Sequence, residues 1–271
     1  MPSLSSNQVA SIMSGNIKKW EQFYVSGVPL TTVTGVTAPA DTKVQVCRRV
    51  NGSGTQAQNN AVFLRYPCTS AANGTLPARD TALGGFFGPV VYENSGSGDV
   101  NNCLADFNDG TSTGFHVDPG TGADVANNPG LVKRWAIGLQ SLEKNADLAL
   151  NYRFVKVDGV APTLVNAANG TYKDWVEQSY QWRKTLAGDN KVIAEHIAAT
   201  AANPAFLGNL DATKFNHSFG MSGFLAVSTF HTPAANGVLD LANPVIPYTH
   251  APGAFSLDNC RIPTVSVNSS L

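Results

Sequence analysis

The sequence predicts an α/β fold, and two strand-turn-helix units predict it. Residues 44–48 carry alternating valines and read as a strand. Residues 55–64 carry helix formers in an apolar pattern and read as a helix, with a glycine-bearing turn between the two. A second unit follows, in which Gly88-Pro89-Val90-Val91-Tyr92 reads as a short strand and the Gly-Ser turn at 94–99 opens a helix through Phe107. Hydrophobic residues make up 43% of the 271, enough to build the core of one large or two modest domains.

From the start, Leu4, Val9, Ile12 and Met13 recur at helical spacing across 4–14, with Ser5 or Ser6 as the cap and Gly15 as the stop. Trp20 is assigned to the core. Residues 25–43, rich in Val, Thr, Gly and Pro, read as a loop leading into the strand at 44. In the turn after that strand, Gly52 and Gly54 are expected to supply positive φ and to leave room for a close approach. Ser53 and Thr55 stand where N-caps belong. A strand passing through such a turn into a helix aims unpaired N–H groups at one point, where the helix dipole favours an anion. Arg49, just before the turn, is placed to clamp that anion with a two-pronged guanidinium. The plain alternative is an ordinary loop. Gly-Ser-Gly-Thr is common in loops, and the turn lacks both the Lys-Ser/Thr of a nucleotide P-loop and the third glycine of a dinucleotide fingerprint.

Further on, residues 69–85 read as a small-residue linker, and the turn at 94–99 reads as a helix start capped by Ser97 or Asp99. Asp106-Phe107-Asn108-Asp109-Gly110 hints at a calcium loop, but the glycine comes one residue early and no glutamate closes the loop. Residues 110–129 read as loop with His116 solvated. Residues 151–157 alternate and predict a strand closed by a turn at Asp158-Gly159. A helix is expected over 187–200, with Val192, Ile193 and Ile197 on one face and His196 at its border. Residues 223–230 predict a buried strand, and the Pro-rich run 244–263 an extended tail.

Charged residues are 14% and the net charge is −1, which offers no broad basic face for nucleic acid and no polybasic membrane patch. No apolar run approaches a membrane span. Met1-Pro2-Ser3-Leu4 has neither the charged start nor the apolar core of a signal peptide, so the start is expected to be that of a mature, trimmed or internally begun chain. Abundant Gly, Ser, Thr and Asn suit a surface outside the cytoplasm. The four cysteines, Cys47, Cys68, Cys103 and Cys260, lack metal-ligand spacing and suit an oxidising compartment. A helix antiparallel to the strand at 44–48 would bring Cys68 to the same end of the unit as Cys47. The expected pairs are therefore Cys47–Cys68 and, by elimination, Cys103–Cys260, with four buried free thiols as the alternative. No nucleophile elbow, His-Glu-x-x-His or Cys-x-x-Cys occurs, so the chain reads as a non-enzyme without cofactor or metal.

The segment Arg49-Val50-Asn51-Gly52-Ser53-Gly54-Thr55 resembles the Arg-x-Asp-Gly-Ser-Gly-Thr segment of the phosphate-binding proteins that serve ABC importers. Residues 4–20 resemble that family's helix ending in Gly-x-Ile-x-x-Trp, here Gly15, Ile17 and Trp20. Ala136-Ile137-Gly138-Leu139 resembles its Ala-Ile-Gly-Tyr segment, and residues 165–172 the stretch before its chain returns to the first lobe. The landmarks keep their order from Leu4 to Trp182.

The resemblance implies a periplasmic-binding-protein-like fold of type II. One complete α/β lobe would span residues 1–171 and carry the anion-binding turn. A crossing segment acting as a hinge, part of a second lobe and the Pro-rich tail would span 172–271. It further implies Arg49, Asn51, Ser53, Gly54 and Thr55 as ligand-binding residues, phosphate or a similar oxyanion as ligand, an ABC permease as partner, and a periplasmic or extracellular location. Two departures qualify it. The family has an aspartate at the position of Asn51, which accepts a proton from the ligand and favours hydrogen phosphate over sulfate; an amide donates as well as accepts. The family chain also begins with a half-lobe that this sequence starts after, so a protein chain, self or other, is expected to cover the surface that segment buries. The alternative role is a non-transport structural or interaction module with a vestigial ligand site.

Overall fold

The structure, a computed structural model, describes residues 3–70, 74, 89–118, 120–145, 147–217, 219–234, 238–251 and 257–266. Most of the linker expected over 69–85 lies outside the described residues. The chain divides into two compact units, Met1–Asp158 and Gly159–Leu271, so that residues 159–171, expected in the first lobe, fall in the second unit.

The first unit opens with β1 (Ser3–Leu4) and α1 (Ser6–Met13). Ser5 caps α1 reciprocally: its hydroxyl accepts from Gln8 N–H at 3.1 Å, and its own N–H donates to Gln8 Oε1 at 2.8 Å. Gly15, at φ +80°, supplies the stop the sequence predicts. A hairpin of β2 (Tyr24–Val25) and β3 (Val28–Pro29) follows within the expected loop. β4 (Gln45–Arg49) leads into α2 (Gly54–Asn59), which continues as a π-helical turn over Asn60–Leu64. β5 (Val90–Asn94) leads into α3 (Ser97–Asp109). After the hairpin of β6 (Phe115–Val117) and β7 (Asp124–Ala126) come β8 (Ala136–Gly138) and β9 (Lys156–Val157), the latter parallel to β1. Of the strand expected over 151–157, only Lys156 and Val157 pair among the described residues, with Ser3 and Leu4.

The centre of the unit is a parallel sheet in the order β5-β4-β8, with Cys47 opposite Tyr92 on one side and Gly138 on the other. Side chains alternate along a strand. Val46 and Val91 therefore join Ile12, Met13, Trp20 and Leu64 in one core, while Cys47 and Tyr92 join Val100, Cys103, Leu104 and Phe107 in another. Helices cover both faces, as a parallel sheet requires. Trp20 is buried as expected, and its indole N–H donates to Trp135 O at 3.1 Å.

This layering corrects the disulfide expectation. Cys47 is bonded to Cys103, with Cα atoms 6.0 Å apart, so neither Cys47–Cys68 nor Cys103–Cys260 forms. No described cysteine is free. The helix that leads towards Cys68 lies on the Val46 face, whereas Cys47 points to the face that α3 covers. His116 is also corrected, from solvated to buried. It is the inward residue of β6 and meets the Tyr92 ring edge-on at 5.2 Å between centroids.

Asp106 ties α3 to the loop after it and is fully buried. Its Oδ1 accepts from Thr113 N–H (2.7 Å) and from the Thr111 and Thr113 hydroxyls (2.9 Å each); its Oδ2 accepts from Gly114 N–H (2.8 Å) and Asn127 Nδ2 (3.4 Å). The Asp106 carboxylate is thus spent on protein donors. Burial pushes its pKa up, but these donors outweigh burial and hold it below the ordinary carboxylate range.

The second unit contains α4 (Leu164–Ala168), α5 (Gly188–Ala201) and α6 (Pro204–Lys214). Short strand pairs accompany them: β10 (Asn216–His217) with β11 (Gly220–Met221), β12 (Ala226–Val227) with β13 (Val245–Ile246), and β14 (Tyr248–Thr249) with β15 (Thr264–Val265). Of the strand expected over 223–230, only Ala226–Val227 pairs among the described residues. The tail expected to be extended carries β13 and β14, and residues 252–256 of it lie outside the described residues. α5 forms, yet Val192, Ile193 and Ile197 are 64%, 56% and 50% exposed and none of its residues is buried.

On α6, buried Asp211 accepts from Phe224 N–H at 2.9 Å through Oδ1, while Oδ2 has no partner among the described residues. Burial pushes its pKa up from 3.8 to about 6, and the Phe224 bond only partly opposes this. The folded state thus binds this proton more tightly than the unfolded state. The stability it contributes is full below pH 3.8 and is lost as pH rises through about 6. Asp211→Asn is expected to remove that dependence and to raise stability in mildly alkaline buffer by roughly 2 kcal/mol. Urea midpoints on either side of the transition check this; parallel pH profiles for variant and wild type would contradict it.

Candidate functional site

β4 and β5 are parallel neighbours, and the chain leaves them towards opposite faces. After β4 it enters α2 and the π turn, packed with α1; after β5 it enters α3. Neighbouring strands whose exits diverge leave a crevice at their carboxyl ends, the usual place for a ligand in an open α/β sheet. The turn read from sequence as an anion cradle lies at this edge.

Ser53 N–H donates to Val50 O at 2.9 Å and closes a β-turn around Asn51-Gly52. Neither Gly52 nor Gly54 takes the positive φ expected of it. Both are instead bare surface, since no atom lies within 4 Å of where a Cβ would stand. Ser53 is the N-cap residue of α2, but its side chain makes no cap bond. The first N–H to donate along the helix is that of Ala57, to Ser53 O at 2.9 Å. The N–H groups of Gly54, Thr55 and Gln56 therefore donate to nothing among the described residues. No acidic residue stands in the first turn of α2. At α3 the reverse holds, because the Asp99 carboxylate accepts from Gly96 N–H at 2.8 Å and meets the positive end of the helix. Both helix starts leave their first N–H groups without an acceptor among the described residues, but only that of α2 lacks an acidic residue beside them.

Arg49 crosses from the end of β4 to the other turn. Its Nη1 donates to Ser97 Oγ at 3.0 Å and its Nη2 to Ser95 O at 2.7 Å, while Nε is buried without a partner among the described residues. The same edge is held by Val50 N–H to Asn94 O (3.1 Å) and by fully buried Asn94, whose Nδ2 donates to Arg48 O (3.1 Å) and Tyr92 O (2.9 Å). Beyond β8, Gln140 Nε2 reaches Ser97 O at 2.7 Å and Asn101 Oδ1 at 2.8 Å. Arg48 is committed elsewhere: it pairs with Glu93 at 3.3 Å with both side chains buried. Burial pulls its pKa down, and the carboxylate partly restores it.

The structure thus gathers Asn51, Ser53, Gly54 and Thr55 at one strand-to-helix turn, whereas the Arg49 guanidinium, expected to clamp an anion there, reaches with both Nη atoms to Ser97 and Ser95 of the neighbouring turn. Sequence reasoning missed Ser95 and Ser97 as the partners that hold this arginine, and Asn94 as the residue that ties the ends of the two strands. The available signal was the second Gly-Ser turn, placed after β5 as the first is placed after β4. Among the described residues, no group of three His, Cys, Asp or Glu side chains is placed to hold a metal ion, and no helix is long and apolar enough to cross a membrane.

No family model and no curated protein matches this chain. Among solved structures, PstS from Borrelia burgdorferi is similar, with a TM-score of 0.37 and 16% sequence identity. The match covers 64% of this chain and 48% of that one, so the chain spans about half the length of that structure.

Proposed function

We propose that this chain is an extracytoplasmic solute-binding protein whose β4–α2 turn holds an inorganic oxyanion, phosphate foremost, for uptake through an ABC permease. The observation that carries this reading is the set of three N–H groups at Gly54, Thr55 and Gln56 that donate to nothing among the described residues, at the positive end of a helix whose first turn holds no acidic residue. The hydroxyls of Ser53 and Thr55 supply further donors. Hydrogen bonds to a charged group are worth roughly 1.5–3 kcal/mol each. Three or four of them, less the cost of immobilising the anion, correspond to a micromolar Kd, about −8 kcal/mol.

Calorimetry with phosphate and with sulfate tests the reading on wild type, Arg49→Ala and Gly54→Ala. Arg49→Ala is expected to lose detectable binding. Gly54→Ala separates ligand from fold. Position 54 has an ordinary helical backbone and open space for a Cβ, so stability should hold or rise by about 0.4–1 kcal/mol. The added methyl stands beside the donors, and affinity is expected to fall roughly tenfold, about 1.4 kcal/mol. No heat with either anion on wild type would dispose of the proposal, as would an affinity indifferent to both substitutions.

Two observations favour a second reading, an interaction module in which the turn no longer serves a ligand: the internal bonds of Arg49 to Ser95 and Ser97, and the exposed Val192, Ile193 and Ile197 of α5. Under it a protein chain, self or other, covers apolar surface, and wild type binds neither anion.

A further inference from the structure

The centre of the β4–α2 turn is Asn51-Gly52, and both residues are exposed. The Gly52 N–H donates to nothing among the described residues, and the Asn51 side chain makes no hydrogen bond there. Gly52 has no side chain to shield its nitrogen, and the space where a Cβ would stand is empty. A second Asn-Gly pair, Asn169-Gly170, serves as an internal contrast. Gly170 N–H donates to Ala167 O at 3.1 Å, and Asn169 Oδ1 accepts from Thr171 N–H at 3.0 Å and from its hydroxyl at 2.6 Å. Both groups that would have to react at 169–170 are engaged. At 51–52 both are unengaged. Pairs 73–74 and 236–237 involve asparagines outside the described residues.

We propose that Asn51 is a site of spontaneous deamidation, through which the protein converts an amide at its candidate anion site into a carboxylate. The Gly52 backbone nitrogen gives its proton to solvent base and attacks Asn51 Cγ. The bond from Cγ to the side-chain nitrogen breaks, ammonia leaves, and a five-membered succinimide closes. Water then adds to one of the two ring carbonyls and opens the ring to aspartate or isoaspartate. The net change is amide plus water to carboxylate plus ammonium, with no oxidation or reduction. The absence of a Cβ at Gly52 favours the attack, because a following side chain crowds the nitrogen. The charge at position 51 goes from neutral to negative.

The effect on binding rests on the oxyanion reading of the turn, whereas the covalent step does not. A carboxylate there repels a fully deprotonated anion such as sulfate. It accepts a hydrogen bond from an oxyanion that still carries a proton, as hydrogen phosphate does. Conversion therefore shifts the site towards protonated oxyanions.

The test is peptide mapping by mass spectrometry of the full chain, fresh and after incubation in mildly alkaline buffer. Gly52→Ala is included because position 52 accepts a Cβ without a clash. The expected result is a gain of one mass unit at Asn51 while Asn169 keeps its amide, and no gain at Asn51 in Gly52→Ala over the same interval. Asn51 remaining an amide after a short peptide of the same sequence has converted would overturn the proposal, as would equal rates at Asn51 and Asn169. Calorimetry of Asn51→Asp and of aged protein should show a higher ratio of phosphate to sulfate affinity than fresh wild type. An unchanged ratio overturns the claim for binding. Fresh protein that binds neither anion, yet converts at Asn51, sinks the oxyanion reading and leaves the modification site standing.

Discussion

The double variant Cys47→Ala/Cys103→Ala is expected to lose about 4 kcal/mol of stability in the first unit. The bond closes a loop of sequence separation 56, and in the chain-entropy account a loop of that length constrains the unfolded state by roughly that amount. Both cysteines are fully buried, so alanine also removes two packed sulfur atoms between β4 and α3. Urea unfolding followed by the fluorescence of Trp20 and Trp135 reads the loss. Mapping under non-reducing conditions should recover the Cys47 and Cys103 peptides joined. A variant that unfolds at the wild-type midpoint would overturn this pairing.

Asp106→Ala is expected to cost a comparable amount. It strands the N–H groups of Thr113 and Gly114, the hydroxyls of Thr111 and Thr113 and the Asn127 amide around an empty site. Orphaned buried donors cost on the order of 1–3 kcal/mol each before relaxation, so a net loss of about 3–5 kcal/mol is expected. Because the folded pKa lies below the unfolded one, the carboxylate's contribution is present above the ordinary carboxylate range. It is lost as pH falls through the folded value. Asp106→Asn should therefore lose stability at neutral pH and flatten the acid limb of the profile. An acid limb as steep as that of wild type would show that some other group governs acid unfolding.

What the sequence disclosed was local. Ser5 and Gln8 sit three residues apart and cap α1 within one turn of chain, and the valines of β4 and the apolar run of α2 lie within a single strand-turn-helix unit. What it hid depended on which face of the sheet each connection takes. Cys47 meets Cys103 because α3 crosses the face that α2 does not, and neither cysteine's neighbours in sequence carry that information. Arg49 finds Ser97 at a sequence separation of 48 for the same reason. His116 was misread because a polar, glycine-rich stretch can still send one alternate side chain inward from a hairpin. The helical stripe of α5 shows the opposite limit. Periodicity predicted the helix, but a stripe is buried only where another element meets it. In the second unit, His250 Nδ1 lies 2.6 Å from Glu177 Oε2, a pairing that no motif announces.

The tether from Arg49 to Ser95 and Ser97 bears on the thermodynamics of any capture at this edge. A long guanidinium side chain that swings freely in water forfeits about 2 kcal/mol of rotamer entropy when it is pinned. Here the pinning accompanies folding, so a guest arriving at the edge meets a cation already at rest. Its association free energy would not be eroded by that ordering.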